Sequence, residues 1–408
     1  MTERNIVILG ASYAGLNTTH YLARHVLPKL DSPHKIILID PSTHFYLTHA
    51  SPRAIASYQL MPESIMFHDI ATGVKQYGDR VKFIQGSAQS WDPESRIVKI
   101  QRSESGHEES ISYHALVLAT GTKTSSPLFT LQGGSHFDLQ EALDAIHKQI
   151  PSAKRIVIAG GGPAAVETAG ELGELINGTA GWFSSRPSNP KAKITLYTNS
   201  SKLLPILRES VAKQAEGYLN RVGVDVVYNT KVSSAEEQPN GKTKVQLHDG
   251  EEVVADIYIP AMGVKPMNQF IPQALLDASG YVKTNAKTLR VDEAGARVYA
   301  IGDIGSYSSN SIVDIYDSVP VLGTNIERDL KAGNGKPSGP DRGFKGKPTT
   351  QLVPVGRGKG VGEVFGWKVP SFFVWLIKGR DFMSGRARDE HLMGNKWTKE
   401  SSWKPSEA

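Results

Sequence analysis

The stretch Asn5-Ile6-Val7-Ile8-Leu9-Gly10-Ala11-Ser12-Tyr13-Ala14-Gly15 decides the fold. Its first five residues are a short apolar run with the character of a buried strand, and Gly10 ends it. A helix-like segment from Ala14 to about Leu27 follows, and Pro28 closes it. Lys35 to Ile39 is a second apolar run that ends in Asp40. The order is strand, glycine turn, helix, then a strand with a terminal acid. The same grammar returns later: Arg155 to Ala159 lead into Gly160, a helix spans about Pro163 to Ile176, and Lys193 to Thr198 form another strand. The chain therefore carries two units of one kind, a duplicated fold rather than a short repeat.

Outside these units lie short alternating segments, Val81 to Ile84, Arg96 to Ile100 and Ile111 to Tyr113, and the run Ala115 to Ala119, which ends in Thr120-Gly121. A β-rich stretch spans Val224 to Met262 and closes at Gly263, and Val298 to Ile301 run into Gly302-Asp303. A helix from Ile315 to Lys331 leads to the Gly-, Pro- and Lys-rich linker Gly333 to Pro348. The expected fold class is α/β, with two Rossmann-like dinucleotide-binding domains and a small C-terminal α+β module. The boundaries fall at 1–125 with 276–340, at 126–275 and at 341–408.

Composition narrows the chemistry. Among 408 residues there are 39 glycines and no cysteine, so disulfides, thiolate metal sites and dithiol redox chemistry are excluded, and any redox step needs a bound cofactor. The net charge of +5 is C-terminal in origin: residues 345–408 hold 12 Lys and Arg against 6 Asp and Glu. No apolar run reaches 18 residues, the first strand begins too early for a leader, and Thr2 stands where myristoylation needs glycine. Cytosolic placement is the expectation, with peripheral contact to a membrane or lipid surface left open. Scattered histidines such as His44 and His49 lack a third ligand, so no metal site is expected.

Each glycine loop has a physical reading. In the first, Gly10 makes the turn, the second position lets the backbone approach a pyrophosphate, and Gly15 allows close packing of helix on strand. Ser12 occupies the second position, adding bulk but also a hydroxyl donor beside free helix N–H groups. Asp40 can take both hydroxyls of a ribose. The second loop, Gly160-Gly161-Gly162-Pro163-Ala164-Ala165-Val166-Glu167, carries an accepted small residue, Ala165, at its third position. Its following strand ends in Thr198-Asn199 without an acid, which removes the barrier to a 2′-phosphate, and Lys202 nearby reads as a solvated loop lysine.

The ordered set of two nucleotide motifs, Ala119-Thr120-Gly121, Gly263 and Gly302-Asp303 resembles the two-dinucleotide-domain flavoprotein reductases of the glutathione-reductase-like superfold, over roughly Asn5 to Leu330. A narrower resemblance extends over nearly the whole chain. It is carried by His44 to Ala54, the second glycine loop, Val353 to Gly362 and Leu376-Ile377-Lys378-Gly379-Arg380-Asp381-Phe382. These are similar to the apoptosis-inducing-factor-like proteins of the ferroptosis suppressor type, related to type II NADH dehydrogenases and common in fungi.

The resemblance implies that FAD is bound by Gly10, Ser12, Ala14, Gly15, Asp40, Arg53, Thr120, Gly121, Gly302 and Asp303, with Asp303 on the ribitol. It implies NADH or NADPH as co-substrate on Gly160, Gly162 and Ala165. The implied reaction passes a hydride from NAD(P)H to flavin N5 and then to a quinone or another two-electron acceptor. Glu167 and Lys378 are the implied catalytic residues, the carboxylate beside the nicotinamide and the lysine beside the flavin ring. From the residues alone, Glu167 also reads as a first-helix carboxylate favoured by the dipole and Lys378 as a surface lysine.

The aromatic run Phe372 to Ile377, followed by Lys378, Arg380, Arg386 and Arg388, suits either packing near the flavin or a lipid surface, and packing is the expectation. Two other readings stand beside the quinone reductase. One is a pathway-specific oxidoreductase acting on an organic metabolite. The other is a DNA-associated redox-sensing flavoprotein using the basic tail.

Overall fold

The computed structural model describes residues 4–404, so Thr2 lies outside it. Strand Arg4–Leu9 is an interior strand of a seven-stranded sheet, flanked in parallel by His34–Asp40 and Ala115–Leu118. In register, Ile6 pairs with Ile36 and Ala115, and Leu9 with Ile39 and Leu118. Residues Ile6 to Leu9 are all buried, as a parallel strand covered on both faces requires. Val298–Ala300 extends the sheet in parallel beyond Ala115–Leu118, which brings Gly302-Asp303 to the same strand-end edge as Gly10.

The strand expected at Val81 to Ile84 runs on to Asp92. It pairs in parallel with His34–Asp40 up to Gln85 and antiparallel with Ile97–Arg102 from Gly86 onward, that ladder carrying a register shift between Ala88 and Ser90. The first helix is α-helical from Tyr13 to Tyr21 and then widens into a π-helical turn, Leu22–Val26, before a 3-10 turn that contains Pro28.

The second sheet has four parallel strands in the spatial order Val224–Val227, Lys193–Tyr197, Arg155–Ala159, Ile257–Pro260. A three-stranded antiparallel sheet, Val232–Glu237, Thr243–Leu247 and Glu252–Ala255, lies beside it. The two units join through the antiparallel pair Thr122–Thr124 and Val264–Pro266, immediately after Gly121 and Gly263. Helix Ile312–Ala332 gives way to a segment without regular structure up to residue 350. A three-stranded antiparallel sheet then forms from Gln351–Val355, Lys359–Val364 and Trp367–Lys368, followed by helix Ser371–Val374 and a π-helical turn Trp375–Gly379.

One expectation fails in this module. Phe372, Phe373, Leu376 and Ile377 are exposed rather than packed near the flavin cleft, and so is Trp367 at 75% exposure. Spaced i, i+1, i+4, i+5, they form one outward stripe, while Val374 and Gly379 on the other side are buried. No helix among the described residues is long and apolar enough to cross a membrane.

Candidate active site

A cleft of about 260 Å³ opens where the strand ends of the large sheet meet. Gly10, Ser12, Ala14, Asp40, Thr120, Gly121, Gly302 and Asp303 all line it, together with Tyr13, Tyr46, Thr48 and Met267. Gly10 has φ +102°, which a side chain would strain, and a Cβ there would run into the Ala119 carbonyl. Gly15 lies outside the lining because it does the packing: a Cβ on it would overlap the Gly10 carbonyl oxygen. The Ser12 hydroxyl makes no capping bond and faces the cleft.

Asp40 has a double duty that spacing alone does not show. Its carboxylate accepts from the Ala11 N–H at 2.7 Å and the Ser42 N–H at 2.8 Å, tying the glycine loop to the neighbouring strand. Burial with no cation beside it pushes Asp40 up to about 6, and burial does the same to Asp303. Thr120 donates to the Met267 carbonyl at 2.8 Å and so fastens the crossing between the units.

This cleft fits FAD. It offers a glycine loop whose Ser12 hydroxyl makes no capping bond and is available to a phosphate, two desolvated carboxylates without cations that suit sugar and ribitol hydroxyls, and a largely apolar wall.

The second loop is built likewise. Gly160 has φ +139° and would meet the Ala261 carbonyl if substituted, Ala165 is fully buried beneath it, and Gly162 has open space around it. Helix Pro163–Asn177 starts there. The strand Lys193–Tyr197 ends with Thr198 against Gly161 and no acid follows, so the loop fits a pyridine dinucleotide of either kind. Lys202 is not a free surface lysine: it is half-buried and donates to the Leu207 carbonyl at 2.5 Å.

Glu167 and Lys378, 211 residues apart, meet: Lys378 Nζ donates to Glu167 Oε1 at 2.5 Å and to the Leu352 carbonyl at 3.3 Å. The carboxyl is 3% exposed, and burial pushes it up to about 7 although Lys378 and Arg53 pull it down and Glu171 adds to the rise. The pair does not line the FAD cleft, but it is linked to it. The Lys378 charge helps burial hold His49 down at about 3, and the His49 Nδ1 is 2.5 Å from the hydroxyl of Tyr13 in the cleft wall.

Arg53 does not line the cleft either, against the expectation of a cofactor contact. Its guanidinium, 5% exposed, is committed to Glu171 and to the carbonyls of Gly379 and Arg380. Sequence reasoning passed over Glu171 and Tyr13. The only sequence signal for Glu171 is its place four residues after Glu167, on the same helical face. Among the described residues no group of three His, Asp or Glu is arranged to hold a metal.

The model of the family described as Pyridine nucleotide-disulphide oxidoreductase matches residues 4–320. The chain is similar to "Oxidoreductase phnG" of Penicillium herquei, 44% identical over 98% of this chain and 96% of that one. It is 26% identical to human ferroptosis suppressor protein 1 over 92% and 93% of the two chains. Its fold matches the sulfide:quinone oxidoreductase of Aquifex aeolicus with a TM-score of 0.71, at 16% identity, covering 97% of this chain and 96% of the other.

Proposed function

Because the chain belongs to the pyridine nucleotide-disulphide oxidoreductase family, and is an FAD-dependent NAD(P)H oxidoreductase, we propose that it hands electrons from NAD(P)H to a diffusible quinone. The chemistry balances as NAD(P)H, one proton and the quinone giving NAD(P)⁺ and the hydroquinone. FAD, when bound, supplies the two-electron carrier between the nicotinamide and the acceptor. With no cysteine in the chain there is no protein dithiol to take those electrons, which separates it from the disulfide-reducing branch.

The observation that carries the reading is the Glu167–Lys378 contact, where the nicotinamide-unit helix touches the C-terminal module. A carboxyl held near 7 gives or takes a proton at neutral pH, and the ammonium beside it offsets negative charge. Asp40 and Asp303 hold the sugar and ribitol hydroxyls of FAD, Ser12 and the Gly10 loop its pyrophosphate, and Gly160 to Ala165 the nicotinamide dinucleotide.

The quinone is a lipophilic acceptor, and the outward stripe Phe372, Phe373, Leu376 and Ile377, with exposed Lys368 and Arg380 flanking it in sequence, suits contact with an anionic lipid surface. An organic metabolite as acceptor is the second reading, favoured by the 44% identity to a fungal oxidoreductase against 26% to the human ferroptosis suppressor protein.

Steady-state assays with NADH and NADPH against a panel of quinones and candidate organic metabolites test the assignment. Turnover that depends on quinone supports it, whereas nicotinamide oxidation that ignores every quinone and depends on one metabolite transfers the assignment to the second reading.

A further inference from the structure

Helix Pro163–Asn177 carries three glutamates that each hold a cation from outside its own sheet. Glu167 takes Lys378, Glu171 takes Arg53, and Glu174 takes Arg357 both through its Nε at 3.2 Å and its backbone N–H at 2.6 Å. Positions 167, 170, 171 and 174 share one helical face. Gly170 lies among them, and a Cβ there would stand 2.9 Å from Val355 Cα and 2.7 Å from the Gly356 nitrogen. The helix is therefore seated directly on the C-terminal module.

Arg53 differs from the other two cations. It comes from helix Ser51–Ala56 of the first unit, and it grips two consecutive backbone carbonyls as well as a carboxylate. Its Nε and Nη2 donate to Glu171 at 3.0 and 2.9 Å, Nη2 also to the Gly379 carbonyl at 2.9 Å, and Nη1 to the Arg380 carbonyl at 2.9 Å. Those two carbonyls immediately follow Lys378. Phe382, fully buried, lies under the guanidinium at 4.6 Å and under the Lys378 ammonium at 5.6 Å, and its N–H closes the same turn onto the Lys378 carbonyl at 2.6 Å.

We propose that Arg53 is a positioning residue: by clamping the Gly379 and Arg380 carbonyls against Glu171, it fixes the turn from which Lys378 reaches Glu167. The proposal rests on the reading of Glu167 and Lys378 given above. Only a planar fork can satisfy a carboxylate and two divergent carbonyls together, so a lysine at this position keeps the charge and loses the clamp. Displacing a reacting group by about 1 Å costs on the order of 10²-fold in rate. Glu167 is faced by Lys378 from the C-terminal module, Glu171 on its own helix and Arg53 from the first unit. Burial raises its proton affinity and Lys378 lowers it, so a Lys378 that swings away leaves a carboxyl that titrates higher.

The test is Arg53→Lys in the FAD-loaded protein, with two readouts. One is the pH profile of quinone turnover. The other is an infrared titration of the protonated carboxyl band that Glu167→Gln removes. We expect turnover to fall by about 10-fold or more, the half-saturating NAD(P)H concentration to stay close to that of the unsubstituted protein, and the carboxyl midpoint to rise by about one unit or more. An unchanged midpoint, whatever the turnover, overturns the proposal, because loss of stability alone does not move it. Should Arg53→Lys fail to accumulate as folded yellow protein, Glu171→Asp keeps the charge that faces Glu167, shortens the same clamp and carries both readouts under the same criteria. If Glu167→Gln and Lys378→Met leave turnover intact, the underlying functional reading fails, while the infrared midpoint still reports whether Arg53 sets the proton on Glu167.

Discussion

At the scale of single residues, protonation decides what the site can do. Glu167 sits near 7 because burial outweighs Lys378, so below that pH it holds a proton and above it loses it. A proton must reach the acceptor with each hydride, so quinone turnover is expected to fall as pH rises through about 7. Glu167→Gln should lower turnover about 10²-fold or more and abolish that break, which pH-dependent steady-state kinetics would register. His391 shows the opposite case. The Trp397 indole N–H donates to Asn17 Oδ1 at 2.6 Å, which turns the Asn17 amide N–H groups toward the Tyr13 carbonyl and His391 Nδ1, so this nitrogen accepts and Nε2 carries the proton toward the Tyr316 hydroxyl at 3.2 Å. Burial accordingly pushes His391 down to about 4. A folded value below the unfolded one means that the unfolded chain binds more protons between about 6.5 and 4. Stability from this group is therefore present above pH 6.5 and lost as pH falls toward 4, to the extent of about 3 kcal/mol. His391→Gln keeps an acceptor and a donor, so denaturant unfolding of the two proteins should diverge over that window, with the unsubstituted protein losing more.

At the scale of elements, the glycine loops and the C-terminal stripe make contrasting demands. Gly15→Ala pushes a methyl into the Gly10 carbonyl, and backbone must move to admit it. The variant is expected to purify without FAD and to unfold at lower temperature, whereas Ser12→Gly, which removes a hydroxymethyl group whose hydroxyl makes no capping bond, should stay yellow. Absorbance of the purified proteins separates these outcomes. Replacing Phe372, Phe373, Leu376 and Ile377 with serine should leave turnover with water-soluble quinones intact and abolish co-sedimentation with anionic vesicles; sedimentation that persists would place lipid contact elsewhere. Both loops were legible in the sequence because their signal is local: strand, glycine spacing and helix lie within about twenty residues. The exposure of the aromatic stripe was not, since the same i, i+1, i+4, i+5 pattern describes a buried face until the partner surface is known. Arg53 was misplaced for a related reason. A buried ion pair between Arg53 and Glu171 leaves no periodic trace, and its purpose shows only when the Gly379 and Arg380 carbonyls arrive 326 and 327 residues later.

At the scale of the whole molecule, the C-terminal module draws part of its basic character inward. Lys347, Arg357 and Lys378 from the basic tail pair with Asp317, Glu174 and Glu167 of the preceding units, so part of the charge that suggested an outside partner is spent on holding the chain together. Zero cysteine has the same sense. With no cysteine in the chain, no protein dithiol can relay electrons here, and the proposed route runs directly from the cofactor to the acceptor. The most direct measurement is an anaerobic half-reaction experiment: FAD-loaded protein is bleached with one equivalent of NADH or NADPH and then mixed with a short-chain benzoquinone. The expected result is immediate return of the yellow colour with one hydroquinone formed per nicotinamide consumed. Protein that bleaches but stays colourless with every quinone offered, or that never bleaches with either nicotinamide, would contradict electron transfer to a quinone.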